Sequence, residues 1–317
     1  MLRRRILTTV AGCCAAALCA APALAAYPER PVTFIIPYGP GGNSDIGART
    51  WAPHVEKCLG TSVVLVNKPG AGGELGFAEL ANAKPDGYTL GALNVPNMPL
   101  GTITKAKPAY SVDSFAYVAN MYGSKVTINT RRGSRNDTLA KLVEAAKAGR
   151  LNMGISNFGS DDHIMMLRFM KMAGAQFTFI PLSDAASSRN AVIGGHVEVS
   201  GNSMTEVAPF QGELQTLAIA SEERVPALPS VPTFKEQGYE LVGGSNHVIG
   251  APAGTPPEVI GKLDGCFTQV AKDPEFLRQA GERTLLMNPM NAAETAAWVR
   301  KEAETLKALW QSDPWGK

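Results

Sequence analysis

The chain has 317 residues, 45% of them apolar and 18% charged, which is typical of a soluble globular protein that is long enough to bury a sizeable core. The length favours about two domains. The formal net charge is only +2, and no run of Lys and Arg with interleaved aromatic residues follows the N-terminal region. Nucleic acid is therefore not an expected partner.

The first 26 residues have the pattern of a cleavable signal peptide. Three arginines, Arg3 to Arg5, precede a short apolar stretch over residues 6–18, and Ala23-Leu24-Ala25 matches a small-x-small cleavage site. We expect residues 1–25 to be removed and the mature chain to be periplasmic. Subtracting the three arginines from 30 basic residues leaves 27 against 28 acidic ones, so the mature chain is near neutral.

Two alternatives to this processing stay open. Cys13 lies in a lipobox-like segment (VAGC) and would carry a lipid if that segment were used, and an uncleaved leader would act as an N-terminal anchor. No apolar run of 18 or more residues follows residue 27, so no membrane span is expected in the mature chain.

Strand-like and helix-like segments alternate along the mature chain. Short β-branched and aromatic runs predict strands at 32–36, 62–66, 88–93, 116–121, 126–130, 151–156, 177–181, 197–200 and 217–220. Helical patterns fall between most of them, and capping residues Thr255, Asp273 and Asn291 open three further helices. The alternation predicts an α/β fold with largely parallel sheets.

The predicted domain organisation depends on the strands at 126–130 and 217–220. They bracket a block of about 90 residues, a size suited to a small inserted domain. We predict a discontinuous first domain (26–125 and 222–317) and a second domain (126–221). In such an arrangement the two crossing segments make a hinge, and a ligand binds in the cleft between the domains.

Two Gly-containing turns, one in each predicted domain, are the strongest candidate sites. The first covers residues 37–45 (PYGPGGNSD) and the second residues 156–163 (SNFGSDDH), and each joins a strand to a helix. Backbone N–H groups at a helix start favour an anion, and the first turn has no Lys or Arg, which suits a carboxylate better than a phosphate. The alternative is a tight turn in which Ser44 or Asp45 only caps the helix.

Other chemistries fit poorly. No Walker or dinucleotide-binding glycine pattern is present, and Gly154 to Phe158 lacks the last glycine of a nucleophile elbow. The run Asp161-Asp162-His163 is better explained by capping and packing than by a metal, and the spacing of the four histidines builds no metal triad. We expect no cofactor, no metal and no catalysis. The alternative is an α/β enzyme for an anionic substrate that uses His163 or His196 with an acidic partner.

Successive segments of the chain resemble one known family. These are 27–31 (YPERP), 36–45 (IPYGPGGNSD), 66–73 (VNKPGAGG), 84–90 (KPDGYTL), 194–197 (GGHV), 228–233 (LPSVPT), 236–239 (EQGY) and 251–256 (APAGTP). In this order they resemble the Bug receptors, the extracytoplasmic solute-binding proteins of tripartite tricarboxylate transporters. The resemblance implies a type II periplasmic-binding-protein fold with a Venus-flytrap cleft. It also implies a small carboxylate ligand and two membrane permease subunits as partners, and a sensor for a membrane kinase would share the same binding step.

Carried onto this sequence, the resemblance implies ligand contacts from the first turn (Tyr38, Gly39, Gly41, Asn43, Ser44 and Asp45) and from the second (Asn157, Phe158, Gly159, Ser160 and His163). Ser183, Asp184 and Asn202 complete the expected set, and a monomer is expected. Residues 181–184 (PLSD) depart from the family's Pro-Tyr-Lys-Gly, and residues 245–247 (SNH) lack its aromatic residue.

These departures suggest an amino-acid-like or otherwise mixed-charge monocarboxylate, with an amine or a ring nitrogen, rather than citrate. A carboxylate at Asp184 would repel a ligand with several negative charges if it lined the cleft. The alternative is that Asp184 only caps the following helix and faces solvent.

Two cysteines, Cys58 and Cys266, follow the leader. An even count in an oxidising compartment allows a disulfide between them, and two buried free thiols are the alternative.

Overall fold

The computed structural model describes residues 27–312 and residue 314, so the predicted leader 1–25 and the lipidation alternative at Cys13 lie outside the described residues. Within those residues the strands are β1 (Val32–Ile36), β2 (Val63–Asn67), β3 (Thr89–Val95), β4 (Phe115–Arg131), β5 (Leu151–Ile155), β6 (Phe177–Pro181), β7 (Val199–Ser203), β8 (Leu214–Ile219), β9 (Gly244–Pro252) and β10 (Leu286–Met290). The helices are α1 (Asn43–Leu59), α2 (Glu74–Ala81), α3 (Asn97–Ile103), α4 (Leu139–Ala148), α5 (Asp161–Ala173), α6 (Ala185–Ile193), α7 (Met204–Val207), α8 (Pro257–Val270), α9 (Pro274–Glu282) and α10 (Ala292–Ser312).

All of these strands belong to one continuous sheet. Its order is β2-β1-β3-β9-β4-β7-β5-β6, and β8 and β10 also pair with β4. The first half of β4 pairs with β9 and β10, and its second half pairs with β7 and β8. Strand β4 therefore connects two halves of the molecule. The first lobe consists of β1–β3, β9, β10 and the first half of β4, with the helices packed on them. The second lobe consists of β5–β8, the second half of β4 and α4–α7.

The sequence led us to expect largely parallel sheets, and this expectation was wrong. Both lobes contain parallel pairs, β1 with β2 and β3, and β5 with β6 and β7. The pairs that involve β4, and the pair of β3 with β9, are antiparallel. The sheet is mixed because the connecting strands run back across it.

Each lobe has its own apolar core. In the first lobe Trp51 of α1 packs edge-on between Phe34 of β1 and Phe267 of α8, with ring centroids 4.7 and 5.1 Å away. In the second lobe Phe169 of α5 packs against Phe234, at 5.0 Å. Each buried aromatic side chain contributes roughly 1.5–3 kcal/mol of transfer free energy. These cores hold the starts of α1 and α5 in place.

Cys58 and Cys266 form a disulfide between α1 and α8, with the two Cα atoms 5.7 Å apart. The cysteines lie 208 positions apart in the sequence. The bond therefore joins the N-terminal and C-terminal chain segments that together build the first lobe. Among the described residues, no helix is long and apolar enough to cross a membrane.

Candidate functional site

A small cavity lies where the two lobes meet, and we call it the inner cavity. Its volume is about 50 Å³, which has room for roughly three to five water molecules. The first lobe contributes Tyr38, Gly42, Asn43, Ser44, Asn94, Asn97, Ser245 and His247, and the second lobe contributes Ser156, Ser160, Asp161, Asp162, Asp184, Ala185, Ser203 and Glu206. Polar side chains dominate this lining, and none of the described lining residues is Lys or Arg.

The first-lobe turn is held by Asp45, which points away from the inner cavity. Its carboxylate accepts from Gly41 N at 3.0 Å and from Asn67 Nδ2 at 3.0 Å, and it forms an ion pair with Arg49 at 2.9 Å. Burial alone would raise the pKa of Asp45, but these partners lower it below its ordinary value. Gly41 has φ +80°, a conformation that favours glycine. Asp45 and Gly41 therefore shape the turn and do not line the inner cavity.

A buried polar network forms the first-lobe wall of the inner cavity. Ser44 Oγ donates to Asn94 Oδ1 at 3.1 Å, and His247 Nδ1 lies 3.2 Å from the same hydroxyl. The His247 ring stacks on Tyr122 at 4.5 Å, and its Nε2 lies 2.8 Å from Asn43 Nδ2. Burial lowers the pKa of His247 to about 3, so this imidazole is neutral at physiological pH.

Glu206 is a second-lobe residue that hydrogen bonds to the first lobe. Its Oε2 accepts from Ser203 N at 3.0 Å as part of the capping box of α7, and its Oε1 accepts from Asn43 N, at the start of α1, also at 3.0 Å. The side chain is almost fully buried. Burial raises the pKa of Glu206 to about 7 in spite of these two amide donors. The chain thus places its own carboxyl group at the N-terminus of α1.

The second-lobe turn begins α5 with ordinary capping chemistry. Ser160 is the N-cap, and its Oγ accepts from His163 N, while Asp162 Oδ2 accepts from Ser156 N at 2.8 Å. Burial raises the pKa of both Asp161 and Asp162, and for Asp162 the charge of Asp161 adds to the effect. Within the described residues, no group of three or more His, Cys, Asp and Glu side chains could hold a metal ion.

His163 is packed rather than exposed. Its ring lies between Phe158 and Phe179, with centroids 5.2 and 4.8 Å away, and Gly159 N donates to its Nδ1 at 3.1 Å. Burial lowers the pKa of His163 to about 4.

Asp184 combines the two alternatives that the sequence left open. Its Oδ1 accepts from Ser187 N at 2.8 Å and so caps α6, as one alternative expected. The side chain also lines the inner cavity, where a Cβ built on Gly39 of the first lobe would lie 2.5 Å from its Oδ2. Asp184 therefore caps its helix and faces the cleft.

The predicted site residues fall into three groups. Tyr38, Asn43, Ser44, Ser160 and Asp184 line the inner cavity. A larger outer cavity of about 830 Å³ adjoins it at Asn97, and it is lined by Asn157, Phe158, Gly159, His163 and Ser183 together with residues of the loop 69–72. Gly41, Asp45 and Asn202 line neither cavity, and Gly39 lies against Asp184. Asn202 Nδ2 donates to Ala185 O at 3.0 Å and supports α6.

Sequence reasoning missed Glu206, Asn94, Asn97 and Ser203, all of which line the inner cavity. One signal was available: Ser203 and Glu206 have the spacing of a capping box, which predicts a helix start. Nothing in that spacing indicates that the carboxyl group also reaches the other lobe.

Comparisons with known proteins identify the family of the chain. A family model described as "Tripartite tricarboxylate transporter family receptor" matches residues 47–313. The chain belongs to this family. BugT of Bordetella pertussis is 33% identical over 265 residues, 81% of each chain, and a UPF0065 protein of the gbd 5′ region in Cupriavidus necator is 32% identical over 289 residues, 89% of this chain and 87% of that one.

Solved structures give the same assignment. The periplasmic binding protein BugD is 27% identical with a TM-score of 0.84, over 90% of this chain and 98% of that one. MatC from Rhodopseudomonas palustris, solved with bound malate, is 25% identical with a TM-score of 0.82, over 89% of this chain and 99% of MatC. The predicted family and the periplasmic-binding-protein fold class are confirmed.

Proposed function

We propose that this receptor captures a small carboxylate between its lobes and presents it to the membrane subunits of a tripartite tricarboxylate-type transporter. The observation that carries the proposal is the inner cavity, which both lobes line at the starts of α1 and α5. Helix N-termini and hydroxyl donors favour an anionic group. A ligand contacted from both lobes stabilises the closed state over the open one, as transport of a captured solute requires.

Two hydroxyl groups are suitable donors to a carboxylate. Tyr38 Oη and Ser203 Oγ are buried, line the inner cavity from opposite lobes, and neither donates a hydrogen bond within the described part of the chain. Burial raises the pKa of Tyr38 well above its ordinary value, so its hydroxyl keeps the proton that it would donate. The bound malate of MatC supports the same ligand class. We propose that Asn43, Ser44 and Ser160 also contact the ligand, and that the outer-cavity residues meet any part that extends beyond the inner cavity.

The surroundings of His163 and His196 favour a protein that binds its ligand without catalysis. His163 contacts two aromatic rings and a backbone N–H, and His196 is exposed. Neither histidine is paired with a carboxylate among the described contacts, so the acid–base pair required by the enzyme alternative has no support.

We further propose that the chain is exported as a monomer, with residues 1–25 removed, and that it docks on two permease subunits. Solved relatives are described as periplasmic, which supports export. Intact mass of periplasmic protein tests the processing: a chain that begins at Ala26 or Tyr27 is expected, and a diacylated chain that begins at Cys13 would contradict it.

A panel of small mono-, di- and tricarboxylates tests the binding function by thermal shift. A ligand at 100 times its dissociation constant stabilises the folded state by about 2.7 kcal/mol, so a true ligand gives a clear rise in melting temperature. Mass spectrometry of the recovered ligand should show that it is unchanged. The proposal fails if no carboxylate stabilises the protein, and a chemically converted ligand would favour the enzyme alternative.

A further inference from the structure

The second-lobe wall of the inner cavity carries four carboxyl groups, from Asp161, Asp162, Asp184 and Glu206. We propose that the physiological ligand carries a protonated amine, or another cationic nitrogen, beside its carboxylate and places that nitrogen against this wall. The inference rests on the proposed function and names the ligand class within it. A mixed-charge ligand would match a cavity whose one wall is acidic and whose other donors are hydroxyls.

The nearby cations are already engaged outside the inner cavity. Arg189 donates to Glu206 O at 3.3 Å and lies 4.1 Å over the Phe210 ring, and Arg49 is paired with Asp45. The described lining therefore lacks a side chain that could balance the second carboxylate of a dicarboxylate ligand. A ligand with several carboxylates would meet repulsion from the acidic wall in a medium of low dielectric constant.

Glu206 supports this inference because its carboxyl group already occupies the start of α1, where a ligand anion would otherwise bind. The backbone N–H of Asn43, at the start of α1, donates to Glu206 and not to solvent. A ligand carboxylate would have to displace that carboxyl group to use the same amide. A ligand ammonium group would instead approach Glu206 as a partner.

An independent observation comes from acceptors that lack a donor. Asn43 Oδ1 and Asn97 Oδ1 line the inner cavity and have no hydrogen-bond partner, and Asn43 is only 6% exposed. A buried acceptor without a donor costs about 1–3 kcal/mol, and a bound N–H group would remove that cost. Together with the Tyr38 and Ser203 hydroxyls, these atoms provide both acceptors for an ammonium group and donors for a carboxylate.

The raised pKa values of Asp161, Asp162 and Glu206 agree with this assignment. In the ligand-free protein, protons neutralise Asp162 and Glu206 at a pH near or below 7, and burial shifts Asp161 in the same direction. A cationic nitrogen would replace the protons, because an opposite charge favours the ionised carboxylates.

Matched ligand triplets provide the test. Thermal shift and calorimetry compare 4-aminobutyrate with butyrate and glutarate, and alanine with propionate and methylmalonate, together with citrate. We expect an amino acid to bind most tightly, and in its triplet the analogue without nitrogen to bind at least about tenfold more weakly, the difference of one charged hydrogen bond. A larger response to an amine-free carboxylate overturns this inference and leaves the proposed function intact. No response to any member overturns both.

The pH dependence gives a second readout that requires no mutation. Asp161, Asp162, Asp184 and Glu206 face the inner cavity from the second lobe, and Arg189 lies behind Glu206. On the first-lobe wall Tyr38 and His247 stay uncharged between pH 5 and 8, because burial raises the pKa of Tyr38 and lowers that of His247 to about 3. Affinity for an amine ligand should rise between pH 5 and 8 as Asp162 and Glu206 ionise, whereas affinity for a dicarboxylate should fall. A fall for the amine ligand would contradict the inference.

Asp161→Asn is the variant of choice, because it removes one charge at nearly constant shape. It should reduce the affinity for the amine ligand about tenfold while affecting the amine-free analogue much less. Asp137→Asn, which removes an exposed carboxylate paired with Lys141, is the matched control and should change neither affinity. Equal losses for both ligands in Asp161→Asn would mean that this residue has only a structural role.

Discussion

Glu206 shows how one buried carboxyl group can couple the two lobes. Its carboxyl group binds backbone amides of both lobes, and burial raises its pKa from 4.5 to about 7. The folded protein therefore binds this proton more tightly than the unfolded chain does. The stability contributed by Glu206 is fully present below about pH 4.5 and is lost as the pH rises through 7.

We predict from this that Glu206→Gln weakens the pH dependence of folding stability. Between pH 4.5 and 8 the wild-type protein should lose up to about 3 kcal/mol relative to the variant, because the pKa of Glu206 is about 7 in the folded state and about 4.5 in the unfolded chain. Denaturant unfolding at several pH values measures this difference. His163 and His247 have lowered pKa values and act in the opposite direction, but they are present in both proteins and cancel. Parallel curves for the two proteins would show that Glu206 is ionised in the folded state throughout the range.

Ser44 offers a second prediction at the scale of single residues. Its hydroxyl connects Asn94 and His247, so Ser44→Ala leaves buried polar atoms without a partner. Affinity for the carboxylate ligand should fall by about 0.5–1.5 kcal/mol, the usual net worth of one hydrogen bond. Calorimetry measures the loss, with Ser134→Ala on a distant loop as control. Unchanged affinity would place the ligand away from this wall.

For single residues, the sequence indicated the two turns but not the other side chains that line the inner cavity. Tyr38, Asn43, Ser44 and Ser160 follow from the position of a Gly-containing turn before a helix. Glu206 and Ser245 lie more than 150 residues after the first turn in sequence, and only the pairing of distant strands brings them to the same cavity. No local pattern reports such a pairing.

Among the elements, strand β4 accounts for most of the difference between expectation and structure. Residues 116–121 and 126–130 were predicted as two strands, because Gly123, Ser124 and Lys125 interrupt the apolar pattern. The structure has one strand of 17 residues, since β9 pairs with it through Ser124 and Lys125. Strands β9 and β10 were not predicted at all, because their alternation is weak and their stability comes from long-range partners.

The packing of α1 on the sheet also leads to a prediction. A Cβ built on Gly47 would lie 1.8 Å from the Tyr122 hydroxyl oxygen, so no side chain fits there without displacing the ring on which His247 stacks. Gly47→Ala should destabilise the fold by about 1–3 kcal/mol and weaken ligand binding. Gly261→Ala in α8 is the matched control, since nothing lies within 4 Å of its Cβ, and it should stabilise by about 0.4–1 kcal/mol. Thermal unfolding of both variants checks the pair, and a stable Gly47→Ala protein would show that Tyr122 moves freely.

For the whole molecule, the disulfide sets how tightly the two chain segments of the first lobe are joined. The disulfide closes a loop between positions 208 apart and so reduces the entropy of the unfolded chain. This loss of entropy stabilises the folded state by at most about 5 kcal/mol. The double variant Cys58→Ser/Cys266→Ser should therefore unfold at a clearly lower denaturant concentration. Two titratable thiols in the unreduced, unfolded wild-type protein would contradict the bridge.

The boundary between the lobes is defined by three neighbouring chain segments. Ala220 N donates to Val126 O at 2.8 Å, Gly243 N donates to Ala220 O at 3.0 Å, and Val126 N donates to Gly243 O at 3.4 Å. Phe234 and Leu241 belong to the core of the second lobe although they follow residue 221. The division at 125/126 and 221/222 stays a prediction, and we propose that the second crossing lies at 243–244.

Ligand-driven closure about these crossings is the last prediction. Contacts that join the lobes in the structure include the Glu206–Asn43 and Thr205–Thr284 hydrogen bonds and a small apolar cluster of Leu100, Ile164 and Leu306. Such contacts are few compared with the two cores, so we expect the ligand-free protein to populate open states and a bound ligand to shift the population towards closure.

Spin labels at exposed Val64 and Met172, on opposite lobes, measure this directly by pulsed electron resonance. Addition of ligand should shorten and narrow the distance distribution. Labels at Val64 and Leu277, both on the first lobe, provide the control and should report a constant distance. A constant distance between Val64 and Met172 under saturating ligand would mean that the lobes do not move, and that the solute enters the inner cavity through the outer cavity without hinge rotation.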